Sequence, residues 1–252
     1  MRCLQNARGI FLHPLHPQNK IYNRINSIEH RGINIKILFV NPVLNAFEPP
    51  LHPPYTLLQL AAVTRELGYS PTILDNNAFR LPIDAVRQEI KKDSWNIIAV
   101  TGVIQQYKYV KELVRACREE QKDALIVGFG DFVTALPFEM MKWLPQMDVG
   151  MIGEAFSTWP EILEHVDDEN WKKVKGLVYR EGSKIKLSPM RPLIPEAKLD
   201  DEVPLPAFDL APSTETYLLY SALPYAAECM IPQARRLDAL TSYDDGYVSN
   251  VY

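Results

Sequence analysis

Short apolar runs alternate along the middle of this chain with segments whose apolar residues recur every three or four positions. Ile35–Val40 reads Ile-Lys-Ile-Leu-Phe-Val and predicts a strand. After a proline-rich loop over Asn41–Tyr55, Leu57, Leu60, Ala61, Thr64 and Leu67 fall at helical spacing, and Gly68 stops that helix. The alternation then continues. Ser70–Leu74 is a strand ending at Asp75, and Ile83, Val86 and Ile90 mark a helix. Asn96–Thr101 is a strand, and Val110, Leu113, Val114 and Cys117 mark the next helix. Ala124–Val127 is a fourth strand, followed by a short helix over Glu139–Leu144 with Pro137 near its first turn. Asp148–Ile152 is a fifth strand, and Trp159, Ile162 and Leu163 open the last helix.

Strands alternating with amphipathic helices imply a parallel sheet with right-handed crossovers. The expected fold is α/β: a Rossmann-like (flavodoxin-like) doubly wound sheet over Ile35–Val166. Both flanks differ from it. Residues 1–34 carry Arg2, Arg8, Lys20, Arg24 and Arg31 against a lone Glu29, show no period, and read as a loosely ordered extension. In residues 167–252, Val174–Arg180 and Lys184–Leu187 flank Glu181-Gly182-Ser183, a hairpin signal. The proline- and acid-rich Pro189–Pro212 reads as an extended connector, and Tyr217–Tyr252 holds no complete domain.

Composition narrows the function classes. The chain has 252 residues, 47% hydrophobic and 23% charged, with net charge -4, so no basic footprint points to nucleic acid. Cys3, Cys117 and Cys229 are too few and too scattered for a disulfide framework, and Cys117 falls on an apolar helix face. No run is long enough to span a bilayer, and Ile10-Phe11-Leu12 is too short for a signal-peptide core. A cytoplasmic protein is the expectation; the Arg-rich, acid-poor start leaves an organelle address as the alternative.

Candidate chemistry gathers at strand exits. Thr101-Gly102, Val127-Gly128-Phe129-Gly130 and Ile152-Gly153-Glu154 each follow an apolar run, where an open α/β sheet places its ligand. Gly102, Gly128, Gly130 and Gly153 would let backbone approach a large ligand; taken singly, each is equally a turn glycine. Gln105 and Thr134 stand nearby as hydrogen-bonding candidates, with solvated loop roles as the alternative. Gly128-x-Gly130 lacks the third glycine of a dinucleotide fingerprint, and there is no Gly-Lys-Ser/Thr phosphate loop. The acidic runs Asp167-Asp168-Glu169 and Asp200-Asp201-Glu202 read as solvated charge.

Several pieces occur together in a fixed order. They are Pro53-Pro54 before the apolar Leu57-Leu58-Gln59-Leu60-Ala61-Ala62, the Gly-x-Gly exit, Ile152-Gly153-Glu154, Gly176-Leu177-Val178-Tyr179-Arg180, and the connector Leu199–Ala207. In this the chain resembles the cobalamin-binding domain at the front of cobalamin-dependent radical S-adenosylmethionine enzymes. The resemblance implies cobalamin as cofactor, held by Gly102, Gln105, Gly128, Gly130, Thr134, Gly153 and Glu154. It makes His52 the candidate lower axial ligand of cobalt. Some cobalamin domains use Asp-x-His-x-x-Gly here, whereas this loop has Pro50, His52 and Tyr55, so a surface-loop histidine is the better reading, and family members often bind the cofactor without such a ligand. The next family element is a Cys-x-x-x-Cys-x-x-Cys loop for an iron–sulfur cluster. Arg235-Arg236-Leu237-Asp238 and Thr241-Ser242-Tyr243 resemble its approach, but Asp245, Ser249 and Tyr252 occupy the cysteine positions. No cluster is therefore expected in this chain, and catalysis would come from a separate domain or protein. The alternatives are a ligand-free interaction or remnant domain, and a nucleotide-binding enzyme.

Overall fold

The computed structural model describes residues 35–43, 53–166, 170–195, 203–212 and 216–217. Five strands form a parallel sheet: β1 (Ile37–Asn41), β2 (Pro71–Asp75), β3 (Ile97–Thr101), β4 (Leu125–Phe129) and β5 (Val149–Met151). A hairpin, β6 (Leu177–Glu181) and β7 (Lys184–Leu187), extends the same sheet antiparallel beyond β5. The order is β2-β1-β3-β4-β5-β6-β7. The parallel part has the doubly wound order of flavodoxin-like sheets, with its switch point between β1 and β3.

The inner parallel strands β1, β3, β4 and β5 are apolar almost throughout because both of their faces are covered. Alternate residues feed two separate cores. Ile37, Phe39, Ile97 and Ala99 point to one, and Leu38, Val40, Ile98 and Val100 to the other. The first face packs on α1 (Tyr55–Glu66) and α7 (Ala155–Glu164), through Leu57, Leu60, Trp159 and Ile162. Trp159 lies 5.3 Å from the Phe39 ring, and its indole N–H donates to Thr64 Oγ1 at 2.8 Å. The Thr64 hydroxyl in turn donates to the Leu60 carbonyl at 2.7 Å, so this polar link between the two helices is satisfied. The opposite face packs on α3 (Ile83–Lys91), α4 (Tyr107–Glu120) and α6 (Pro137–Trp143). Two short helices, α2 (Asn76–Phe79) and α5 (Asp131–Ala135), fill strand-to-helix corners where the sequence pattern marks no element.

The hairpin lies where its signal predicts, but it is the edge of the main sheet. Its outer strand carries exposed Lys184 and Lys186, whose charge discourages pairing with another chain.

Cys117 is a buried free thiol on the apolar face of α4. Burial pushes it up to about 12, with Arg118 only partly opposing. Folded protein at pH 8 is therefore expected to leave Cys117 unalkylated by iodoacetamide, as read by peptide mapping. The proton is held in the folded state, so this group's contribution is complete below the unfolded thiol's pKa. It is lost as pH rises from there toward about 12.

Candidate functional site

All parallel strands end on one side of the sheet, and a solvent-open cleft of about 640 Å³ lies there, across the switch point. Its floor is Asn41 from β1, Thr101-Gly102-Val103 after β3 and Phe129-Gly130-Asp131 after β4. Gly153-Glu154-Ala155 after β5 closes one side. The first turns of α1, with Pro53, Pro54 and Tyr55, close another.

Gly130 and Gly153 both have φ in the left-handed region, at 100° and 75°. Nothing lies within 4 Å of where a Gly153 Cβ would stand, so the missing side chain leaves open space at the cleft rim. The Gly153 N–H donates to Thr134 Oγ1 at 3.0 Å, which braces the β5 exit against α5. Gly102 sits close under Val110 and Gln106, with a hypothetical Cβ at 3.0 and 3.1 Å from them.

Five of the predicted cofactor residues thus line one cleft: Gly102, Gly130, Thr134, Gly153 and Glu154. Gly128 and Gln105 do not. Gly128 points into the core, where a Cβ would come 2.3 Å from Met147 Sδ, so close packing requires a glycine there. Gln105 is exposed on the turn after β3, and its neighbour Gln106 faces inward. Gln106 Oε1 accepts from the Val103 N–H at 2.7 Å, and its amide donates to the Pro42 carbonyl at 3.4 Å. One buried side chain therefore ties the loops on both sides of the switch point. His52 lies outside the described residues, as do the Asp245–Tyr252 positions and both acidic runs. Among the described residues, no cluster of three or more His, Cys, Asp or Glu side chains is arranged to hold a metal.

Sequence reasoning missed Asn41, Asn77 and Asp131 on the lining, and the group behind two of them. Asp75, at the end of β2, is fully buried. Its Oδ1 accepts from Asn41 Nδ2 at 2.8 Å and from the N–H groups of Asn77 and Ala78 at 3.0 and 3.1 Å, capping α2. Its Oδ2 accepts from the Tyr217 hydroxyl at 2.5 Å. Burial, and then this carboxylate, push the Tyr217 phenol well above its ordinary range, so it stays a donor.

The lining carries no lysine, arginine or histidine among the described residues; its charged side chains are Asp131 and Glu154. Such a cleft repels polyphosphates and suits a large ligand rich in amide N–H groups. A corrin ring bordered by carboxamides is such a ligand.

A larger hollow, about 1010 Å³, lies at the amino ends of the strands and is lined by Arg118, Asp148 and Arg180. These groups are occupied by the fold itself. Arg118 donates to the Lys122 and Ala124 carbonyls at 2.6 and 2.9 Å and to Asp148 at 2.5 Å. Arg180 donates to the Met147 and Leu144 carbonyls at 3.2 and 3.3 Å. This end is cross-linking, and it is the wrong end of the strands for a ligand.

Comparison with known proteins agrees with the geometry. Residues 43–163 match the family model of the B12 binding domain. The chain is 29% identical over 161 residues to an uncharacterized methyltransferase of Pyrococcus horikoshii, covering 64% of this chain and 34% of that protein. It superposes on the radical S-adenosylmethionine methyltransferase TsrM from Kitasatospora setae, solved with cobalamin and a 4Fe–4S cluster, with TM-score 0.56. Identity there is 18%, over 69% of this chain and 31% of TsrM. OxsB, a cobalamin-dependent S-adenosylmethionine radical enzyme solved with aqua-cobalamin and S-adenosylmethionine, gives TM-score 0.59 at 17% identity, over 70% of this chain and 24% of OxsB. These two structures share the fold. The chain spans only about a quarter to a third of the relatives it matches.

Proposed function

We propose that this chain is a cobalamin-binding module, as the match of residues 43–163 to the B12 binding domain model supports, and that it holds cobalamin in the cleft at the carboxyl ends of β1, β3, β4 and β5. One coincidence carries the reading. The segment matched by the family model supplies all of the described cleft lining but Asn41 and Leu193, and the lining is neutral to acidic and free of cations among the described residues.

Each lining group has a role. Gly153 admits backbone close to the corrin edge, while Gly102 and Gly130 let the β3 and β4 exits pack tightly in the cleft floor. Asn41, Asn77 and Thr134 orient the ring's carboxamides, Gln106 holds together the loops after β1 and β3, and Asp131 and Glu154 accept from the carboxamide N–H groups. When bound, cobalamin supplies redox and alkyl-carrying chemistry at cobalt. The reacting partner would come from a separate catalytic domain or protein, and we propose the cytoplasm as the compartment. No helix among the described residues is long and apolar enough to cross a membrane. His52 stays the proposed lower axial ligand, on its place in the sequence alone. A nucleotide-binding reading is disfavoured because no described cation faces the cleft to meet a polyphosphate.

Purified protein mixed with hydroxocobalamin and desalted is expected to keep about one equivalent, seen in the visible spectrum. A His52→Ala variant compared at the axial-ligand band tests that ligand. No retention by protein shown to be folded would overturn the functional reading and leave the fold untouched.

A further inference from the structure

The chain after the hairpin turns back onto the module. Residues 203–212 run along α1: the Ala207 N–H donates to the Leu58 carbonyl at 3.1 Å, and Asp209 accepts from both terminal nitrogens of Arg65 at 2.6 and 3.0 Å. The Phe208 ring stands edge-on to Tyr55, with centroids 5.9 Å apart. Tyr217, only 2% exposed, then delivers its hydroxyl to Asp75. The returning segment therefore meets the cleft at two walls. On one it touches Tyr55 directly. On the other it touches the carboxylate that holds Asn41 and the backbone of Asn77.

We infer that Tyr217 is a positioning residue for the ligand site, acting through Asp75 on Asn41 and Asn77. The inference rests on the cobalamin reading of the cleft. Without the phenol, one oxygen of a fully buried carboxylate loses its partner. The carboxylate then regains a partner by rotating or by admitting water, and either change shifts the asparagine it orients. Affinity for the ligand and docking of the segment are thereby linked, and linkage works in both directions. Bound cobalamin strengthens the hold on Tyr217 as much as Tyr217 strengthens the hold on cobalamin.

The test uses the full chain and hydroxocobalamin. Kd is measured by visible titration for the wild type and Tyr217→Phe, and chymotrypsin cleavage after Phe208 and Tyr217 is followed with and without hydroxocobalamin. The expected result is binding weaker by about five- to tenfold in Tyr217→Phe, the share of one charge-assisted hydrogen bond that reaches the ligand. Hydroxocobalamin should also slow cleavage of the wild type, and slow it less in the variant. A bond that only supports the fold would lower the melting temperature and leave Kd unchanged, and equal Kd values would overturn the inference. If the variant does not fold, cleavage of the wild type decides: equal rates with and without hydroxocobalamin overturn it. Absence of binding by the wild type would overturn the cobalamin reading itself, which is a different result from unchanged Kd.

Discussion

Gly153→Leu is expected to give a folded protein that no longer retains cobalamin. A Cβ at Gly153 meets nothing within 4 Å, so leucine finds room without disturbing the core. Its cost to stability is the left-handed backbone, φ 75°, about 1–2 kcal/mol for an L-residue. That corresponds to a fall in melting temperature of about 2–8 °C for a chain of this size. The space the side chain enters is the cleft rim where the corrin edge would lie. Affinity for hydroxocobalamin should drop at least about 100-fold, or about 2.7 kcal/mol. Thermal unfolding and visible titration separate the two effects. Retention equal to that of the wild type would move the ligand away from the β5 exit.

Gly150→Val should do the reverse. This glycine lies three positions upstream, in β5, between the sheet and α5. A Cβ there would come 2.6 Å from Val133 Cγ1 and 2.9 Å from Val178 Cγ1. Both neighbours are β-branched and stiff, and they sit in a closed core, so neither can rotate away. Overpacking of this kind costs about 3 kcal/mol or more, a fall of about 6–12 °C in melting temperature. Protein that remains folded in the cold should still bind hydroxocobalamin with wild-type affinity, because Gly150 does not line the cleft. A small thermal shift would mean that α5 can move away from the sheet.

These two glycines also mark where the sequence stops being legible. Strands and long helices were readable because their apolar spacing directly reflects burial on two faces. Ile37-Leu38-Phe39-Val40 can only be a covered strand, and Val110, Leu113, Val114 and Cys117 can only be one helix face. Sequence distinguishes poorly between a glycine that faces a ligand and one that relieves a clash. Gly128 and Gly130 belong to one motif, yet Met147 confines the first in the core, while the second lines the cleft with a left-handed backbone, φ 100°. Gln105 and Gln106 are adjacent, and only the phase of a single turn decides which points inward. The Asp75 network was out of reach for another reason. Its partners, Asn41 and Tyr217, lie 34 and 142 residues away, and no local pattern announces such pairings. Short helices such as α2 and α5 escaped because four or five residues carry no period.

The arginines at the amino ends of the strands have a consequence for the other end. Arg118 and Arg180 fasten loop carbonyls from residues 122 to 147 around the starts of β4 and β5, and Lys36 pairs with Asp93 beside β3. Compliance is therefore polarised along the strand axis. One rim is riveted, and displacement imposed by a bulky guest is absorbed at the glycine rim. The loops that choose the guest can be rewritten there while the riveted rim keeps the strand register.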